Sequence, residues 1–139
     1  MISLETEIVI RLLLSAGLGL LIGAERQIRK KPAGLRTHSL VALGACLFTI
    51  ATISVVGSQH ESITRTIQGV VTGIGFLGAG MIFQSKNKVT GLTTSAEIWT
   101  LAAIGILVGL GNYTIAILAT LLVLIILVPF KWFEKELGK

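Results

Sequence analysis

The chain has 139 residues, 53% of them hydrophobic and only 14% charged, with a net charge of +5 and a mean hydropathy of +0.85. A soluble domain of this length needs far more polar surface, so the composition leaves an integral membrane protein of one compact domain, residues 1–139. The basic residues sit in short loops between apolar runs, a topology signal rather than a nucleic-acid footprint. The lipid bilayer is the expected partner, and no nucleic acid is.

Five apolar stretches approach the roughly 20 residues needed to cross about 30 Å of hydrocarbon. They cover residues 8–24, 39–56, 67–83, 94–110 and 114–130, which predicts an all-α bundle of five transmembrane helices. Several are short, so a thin local bilayer or extra turns into the interface are expected. The first stretch runs into Glu25-Arg26 without a small-residue cleavage pattern, and reads as a retained helix rather than a signal peptide. The single cysteine, Cys46, lies within the second stretch. It excludes a disulfide framework and reads as a buried thiol.

The loops alternate in charge. Arg26, Arg29, Lys30, Lys31 and Arg36 separate the first two stretches, Lys86 and Lys88 the third and fourth, and Lys131, Lys135 and Lys139 follow the fifth. The opposite side holds Glu5, Glu7, His60, Glu61, Arg65 and the neutral turn Gly111-Asn112-Tyr113. Ten of the twelve Lys and Arg residues thus share one side. The positive-inside rule makes that side cytoplasmic, with the N-terminus outside and the C-terminus inside.

Two passages echo one another about 57 residues apart. Gly17-Leu18-Gly19-Leu20-Leu21 precedes Gly34-Leu35-Arg36-Thr37, and Gly73-Ile74-Gly75-Phe76-Leu77 precedes Gly91-Leu92-Thr93-Thr94. The gap is 17 residues in the first pair and 18 in the second. This spacing points to a duplicated two-helix hairpin, with chance likeness between Gly-rich segments as the alternative. Glycine is also segregated: fifteen of sixteen precede the fifth stretch, which has none. Gly19/Gly23, Gly69/Gly73 and Gly105/Gly109 each form a GxxxG pair that lets helix backbones approach closely. Gly73, Gly75, Gly78 and Gly80 make the third stretch the smoothest and place it centrally. The fifth is expected to be peripheral and lipid-facing.

Gly73-Ile74-Gly75-Phe76-Leu77-Gly78 also matches a dinucleotide fingerprint, but that motif needs a strand before it and a helix after it. Within a span that must satisfy its own backbone in lipid, close packing is the reading. There is no G-x-x-x-x-G-K-[ST] sequence, and no nucleophile–base pair or metal cluster, so neither an ATPase nor another enzyme is expected, and no cofactor.

Glu97 lies six positions past Gly91, about 9 Å into a helix. A charge near the bilayer centre costs about 2.5–3.5 kcal/mol by insertion scales, so such an acid pairs, stays protonated or meets a coupling ion or proton. Glu97, Thr93 and Thr94 form a candidate interior ion or proton site. The alternative is that Glu97 reaches interfacial water or bonds a cation of the Arg36–His38 turn. Glu25, Arg26, Arg36, Thr37 and His38 form a second candidate site, polar and on the cytoplasmic face. Thr37 or Ser39, and Thr93 or Thr94, are candidate helix caps, whose helix starts suit an anionic group. Arg11 is expected to pair with Glu7 one turn away. Arg29-Lys30-Lys31 would attract anionic lipid. His38 and His60 fall on opposite sides and cannot share a metal. Trp99 is expected in the core, and Trp132 and Phe133 in an interfacial belt.

At Gly23-Ala24-Glu25-Arg26, the run from Ala33 to Gly44, the run from Gly73 to Gly80, and Gly91-Leu92-Thr93-Thr94-Ser95-Ala96-Glu97-Ile98-Trp99, the chain resembles the MgtC/SapB family. The four motifs cover nearly all of the first four stretches, in order. The resemblance implies a bacterial inner-membrane protein associated with magnesium limitation and, in pathogens, with survival inside macrophages. It also implies modulation of other membrane proteins, including the proton-translocating ATP synthase and P-type pumps. Many members carry a soluble C-terminal domain. Here a short form without it is expected, which sets aside any function that needs that domain. Some virulence-type members carry Asn where this chain has Thr93 and Cys where it has Thr100, which weakens transfer of the virulence role.

Two functions compete. The first is a regulatory module that binds a larger complex through helix faces and basic loops. The second is a small homodimeric transporter or channel with its interior site at Glu97. Magnesium takes several oxygen ligands and keeps its waters. One acid inside a span equips a single protomer poorly, whereas a homodimer would bring two. The sequence itself names no metal.

Overall fold

The computed structural model describes residues 3–57, 59–85 and 88–128. Lys86, the end of the fifth expected stretch at Phe130, and Lys131, Trp132, Phe133, Lys135 and Lys139 lie outside the described residues. Five helices follow in order: α1 (Leu4–Ile28), α2 (Leu35–Val56), α3 (His60–Gly80), α4 (Leu92–Gly109) and α5 (Tyr113–Leu127). All five expected stretches are helical. Their bounds differ from the apolar runs: every helix starts earlier, while α3 stops at Gly80, short of the expected 83, and α4 and α5 at Gly109 and Leu127, because capping and turns, not hydropathy, decide where a helix stops. The loop after α3 adds a short antiparallel hairpin, β1 (Phe83–Ser85) with β2 (Lys88–Thr90), pairing Phe83 with Thr90 and Gln84 with Val89.

Helices α1, α2 and α4 are each long and apolar enough to cross a membrane, and α5 is a shorter apolar helix. The outer surface is apolar as well, with Leu40, Phe48, Phe76, Leu118, Leu122 and Ile126 all exposed. An apolar exterior of that extent belongs in lipid. Buried Thr49 and Thr120 donate to the carbonyls of Ala45 and Ala116 at 2.9 Å, so their hydroxyls are satisfied within their own helices.

Helix α4, not α3, is the central element. Ten of its residues are buried, against only Ile74 and Gly78 on α3. The glycines account for the difference. Gly105 and Gly109 of α4 press onto α2, where a Cβ at Gly109 would lie 2.7 Å from Thr49 Cβ. Gly19 and Gly23 of α1 press onto the start of α2, where a Cβ at Gly19 would lie 2.6 Å from the His38 carbonyl oxygen. Gly78 meets Ser95 of α4. Gly69, Gly73, Gly75 and Gly80, expected to pack within the bundle, are not packed closely: a Cβ added at any of them would meet nothing within 4 Å.

Trp99 is also outside the core, 53% exposed, because Ile98 and Leu101 occupy the inward positions beside it. Helix α5 buries only Ala116, Thr120, Val123 and Leu127, and its remaining surface faces outward.

Helix ends fix the loops. Lys31 N–H donates to Arg26 O and Lys30 N–H to Gln27 O, closing α1 in a Schellman motif with Lys30 in the left-handed position, φ 53°. Gly111, φ 82°, ends α4 the same way, with Asn112 N–H donating to Leu107 O. The expected threonine and serine caps do not form. The N-caps of α2 and α4 are Gly34 and Gly91, without a side-chain hydrogen bond.

Candidate functional site

At the end of the bundle that carries the α1–α2 loop and the β hairpin, three helices deliver polar side chains to one buried point. Arg26 comes from the last turn of α1, where the negative end of the helix dipole favours a cation. His38 comes from the first turn of α2. Thr94 and Glu97 come from the start of α4, three residues apart and therefore on one face.

Arg26 Nε lies 2.8 Å from Glu97 Oε2, with the side chains 5% and 4% exposed. The approach is close but off-line: neither atom has an aligned hydrogen bond, so the contact is chiefly Coulombic. Arg26 Nη2 donates to Thr94 Oγ1 at 3.4 Å, and Nη1 lies 3.5 Å from Glu25 Oε2. Glu25 also pairs with Arg29, one turn on. The His38 ring bonds through Nδ1 to the Gly34 carbonyl at 3.0 Å, which leaves Nε2 pointing at Glu97 Oε2, 3.7 Å away. Two guanidiniums therefore face two carboxylates. Removing charges from water is costly unless they are paired, and here the sum is balanced.

The balance is incomplete in one respect. Glu97 Oε1 and His38 Nε2 are buried without a hydrogen-bond partner. Among the described residues no group of three or more His, Cys, Asp or Glu could hold a metal ion. A divalent cation at Glu97 would have to displace Arg26. Beside the cluster opens a cavity of 580 Å³, with Arg26, Thr94, Lys31 and Thr93 on its wall.

The two candidate sites read from sequence thus meet as one. Glu25, Arg26, His38, Thr94 and Glu97 come together. Arg36, Thr37 and Thr93 are exposed and stand apart from the ion cluster. Glu97 meets a cation, chiefly Arg26 of α1, with His38 the more distant neighbour. Sequence reasoning missed the Gly34 carbonyl and the place of Arg29. The i,i+4 spacings of Gly34 to His38 and of Glu25 to Arg29 were the available signals.

A second polar tie sits at the far end. Arg11 pairs with Glu7, as expected, and also donates from Nη1 to the Gly109 carbonyl at 2.6 Å, joining α1 to the end of α4.

A helical bundle with an apolar exterior and a closed ion cluster under two helix starts defines a small multi-pass membrane protein. The chain belongs to the MgtC family, whose sequence model matches residues 12–136. It is 39% identical over 137 residues to protein SrpB of Synechococcus elongatus, covering 90% of this chain and 75% of that one. It is 41% identical over 133 residues to "Putative magnesium transporter YhiD" of Escherichia coli K12, covering 91% and 62%. It is 45% identical over 116 residues to protein MgtC of Salmonella typhimurium, covering 84% and 49%. The chain thus spans less than two thirds of YhiD and about half of MgtC. No solved structure matches it.

Proposed function

We propose that this protein is a membrane module linked to magnesium limitation and homeostasis that modulates larger membrane proteins by binding them through its helix faces. The observation that carries this reading is the Arg26–Glu97 pair, which among the described residues leaves no carboxylate inside the bundle without a cationic neighbour for a travelling cation. The binding face is on α3. Gln68, Thr72, Gly75 and Ala79 are all exposed and recur at spacings of four, three and four, which is one helix face. Small residues there let a partner helix approach closely. The magnesium link comes from the family and from the names of its relatives. The partner classes are those the family resemblance implies: an ATP synthase, a P-type pump or a second copy of this chain.

In this reading all five helices cross the bacterial inner membrane, N-terminus outside and C-terminus inside. At 15 residues, α5 is about 22 Å long, short of the roughly 30 Å core, so it calls for a locally thin bilayer. The first four helices are a duplicated hairpin, supported by the matching glycine N-caps Gly34 and Gly91.

A small homodimeric transporter or channel is the second reading. It is favoured by the unpartnered Oε1 of Glu97 and Nε2 of His38, two buried atoms able to pass or hold a proton. One experiment separates them. The protein is reconstituted alone for magnesium and proton flux, and together with ATP synthase or a P-type pump for ATP-driven transport, as wild type, Glu97→Gln and Gly75→Leu. Modulation that Gly75→Leu abolishes, without intrinsic flux, supports the regulatory module. Saturable intrinsic flux lost in Glu97→Gln, from protein of matched incorporation, overturns it in favour of transport.

A further inference from the structure

A second cavity differs in character from the one beside the ion cluster. A groove of 670 Å³ runs between α2 and α3, within the size range of small-molecule sites. Its walls are apolar, formed by Leu40, Gly44, Phe48, Gly69, Gly73 and Leu77, and Arg36 and Thr37 close one end. From Arg36 to Phe48 it follows α2 for about 18 Å at 1.5 Å per residue. Missing side chains keep it open: a Cβ at Gly44, Gly69 or Gly73 would meet nothing within 4 Å.

The charged end is equally specific. Arg36 is exposed, and among the described residues it pairs with no acid. It sits in the first turn of α2, whose N-cap Gly34 offers no side-chain acceptor, so the helix start presents N–H groups and a positive dipole end beside it. Among the described residues no acid lines the groove. Its polarity therefore runs one way, from a cation and a helix start to an aliphatic and aromatic trough. A packed partner helix calls for no such gradient, whereas an anionic amphiphile has that same layout.

We propose that the α2–α3 groove binds an anionic phospholipid. The phosphate sits at Arg36, Thr37 and the start of α2, and one acyl chain lies along Gly44, Gly69 and Gly73 toward Phe48. The site is separate from the ion cluster and does not depend on which function that cluster serves.

The test is native mass spectrometry of the full-length protein, titrated in detergent with phosphatidylglycerol or phosphatidylcholine. Wild type should bind phosphatidylglycerol roughly fivefold more tightly, the worth of about one surface cation. Arg36→Gln, at an exposed position, should erase that preference and leave phosphatidylcholine binding unchanged. Gly73→Leu, which adds a side chain to the trough at a position where a Cβ meets nothing within 4 Å, should weaken both lipids, with unchanged melting temperature as the control for folding. Competition by glycerol 3-phosphate alone would assign the site to a soluble phosphate and overturn the lipid. Equal binding of both lipids by wild type, or unaltered binding in Gly73→Leu, would overturn the proposal too. So would a lipid-free dimer cross-linked through Gly73→Cys, which would give the groove to a second copy.

Discussion

Arg26 and Glu97 are separated by 71 positions in sequence and by 2.8 Å in space, and neither side chain is more than 5% exposed. That one contact joins the end of α1 to the start of α4 and closes the bundle over His38. Breaking a buried pair from one side leaves an uncompensated charge and costs about 3–5 kcal/mol, whereas replacing both partners with apolar groups is often neutral. Arg26→Ala and Glu97→Gln should therefore each lower the melting temperature of the purified protein markedly. The double variant Arg26→Met/Glu97→Leu should regain most of the loss, since Glu25 keeps Arg29 as its partner. A wild-type melting curve for Glu97→Gln would remove the pair from any account of stability.

The individual members of this cluster were legible in the sequence because charge inside an apolar run is conspicuous. Their convergence was not. It depends on Gly19 and Gly23 letting α1 lie against His38, and on Gly105 and Gly109 letting α4 lie against α2. A GxxxG pair reads alike whether its partner is in the same protomer or outside it. For that reason the smooth α3 looked central while α4 in fact is, and Trp99 looked buried while its neighbours Ile98 and Leu101 are. The number of apolar runs depends on composition and was legible, whereas the helix ends, set by capping and turns, were not. The threonine caps were misread because a glycine N-cap leaves no side-chain signal.

The two kinds of glycine should separate under substitution. At Gly19 an added methyl meets the His38 carbonyl, a backbone atom that cannot move aside cheaply, and at Gly109 it meets Thr49. Overpacking of that kind costs about 1–3 kcal/mol. At Gly73 and Gly75 the space is open, so Ala should be neutral or gain about 0.5–1 kcal/mol from the lower backbone entropy of the unfolded chain. Thermal melts of the four Ala variants in one detergent check this. Equal losses at all four positions would mean that α3 is packed against something in the sample.

Lys30 holds a left-handed conformation, φ 53°, at the position of the α1 Schellman motif where glycine is usual. A side chain there costs about 1–2 kcal/mol. Lys30→Gly should raise the melting temperature while the pairing of Lys31 N–H with Arg26 O keeps the loop in place. A lower melting temperature would indicate that the Lys30 side chain contributes more than its backbone strain costs.

The orientation expected from the charged loops can be tested with cysteine labelling. Lys31 lies in the loop between α1 and α2, and Gln59 in the loop between α2 and α3, both exposed. Helix α2 at 22 residues is long enough to hold these loops on opposite faces of a bilayer. A membrane-impermeant maleimide added to intact spheroplasts should label Gln59→Cys and spare Lys31→Cys, while inside-out vesicles should show the reverse. The native Cys46, fully buried between α1, α2 and α4, should stay unlabelled in both and serves as the internal control. Labelling of Lys31→Cys from outside would invert the topology. It would also move the Arg26–Glu97 cluster and the Arg36 end of the α2–α3 groove to the outer face. Any partner or lipid would then have to be sought in the opposite leaflet.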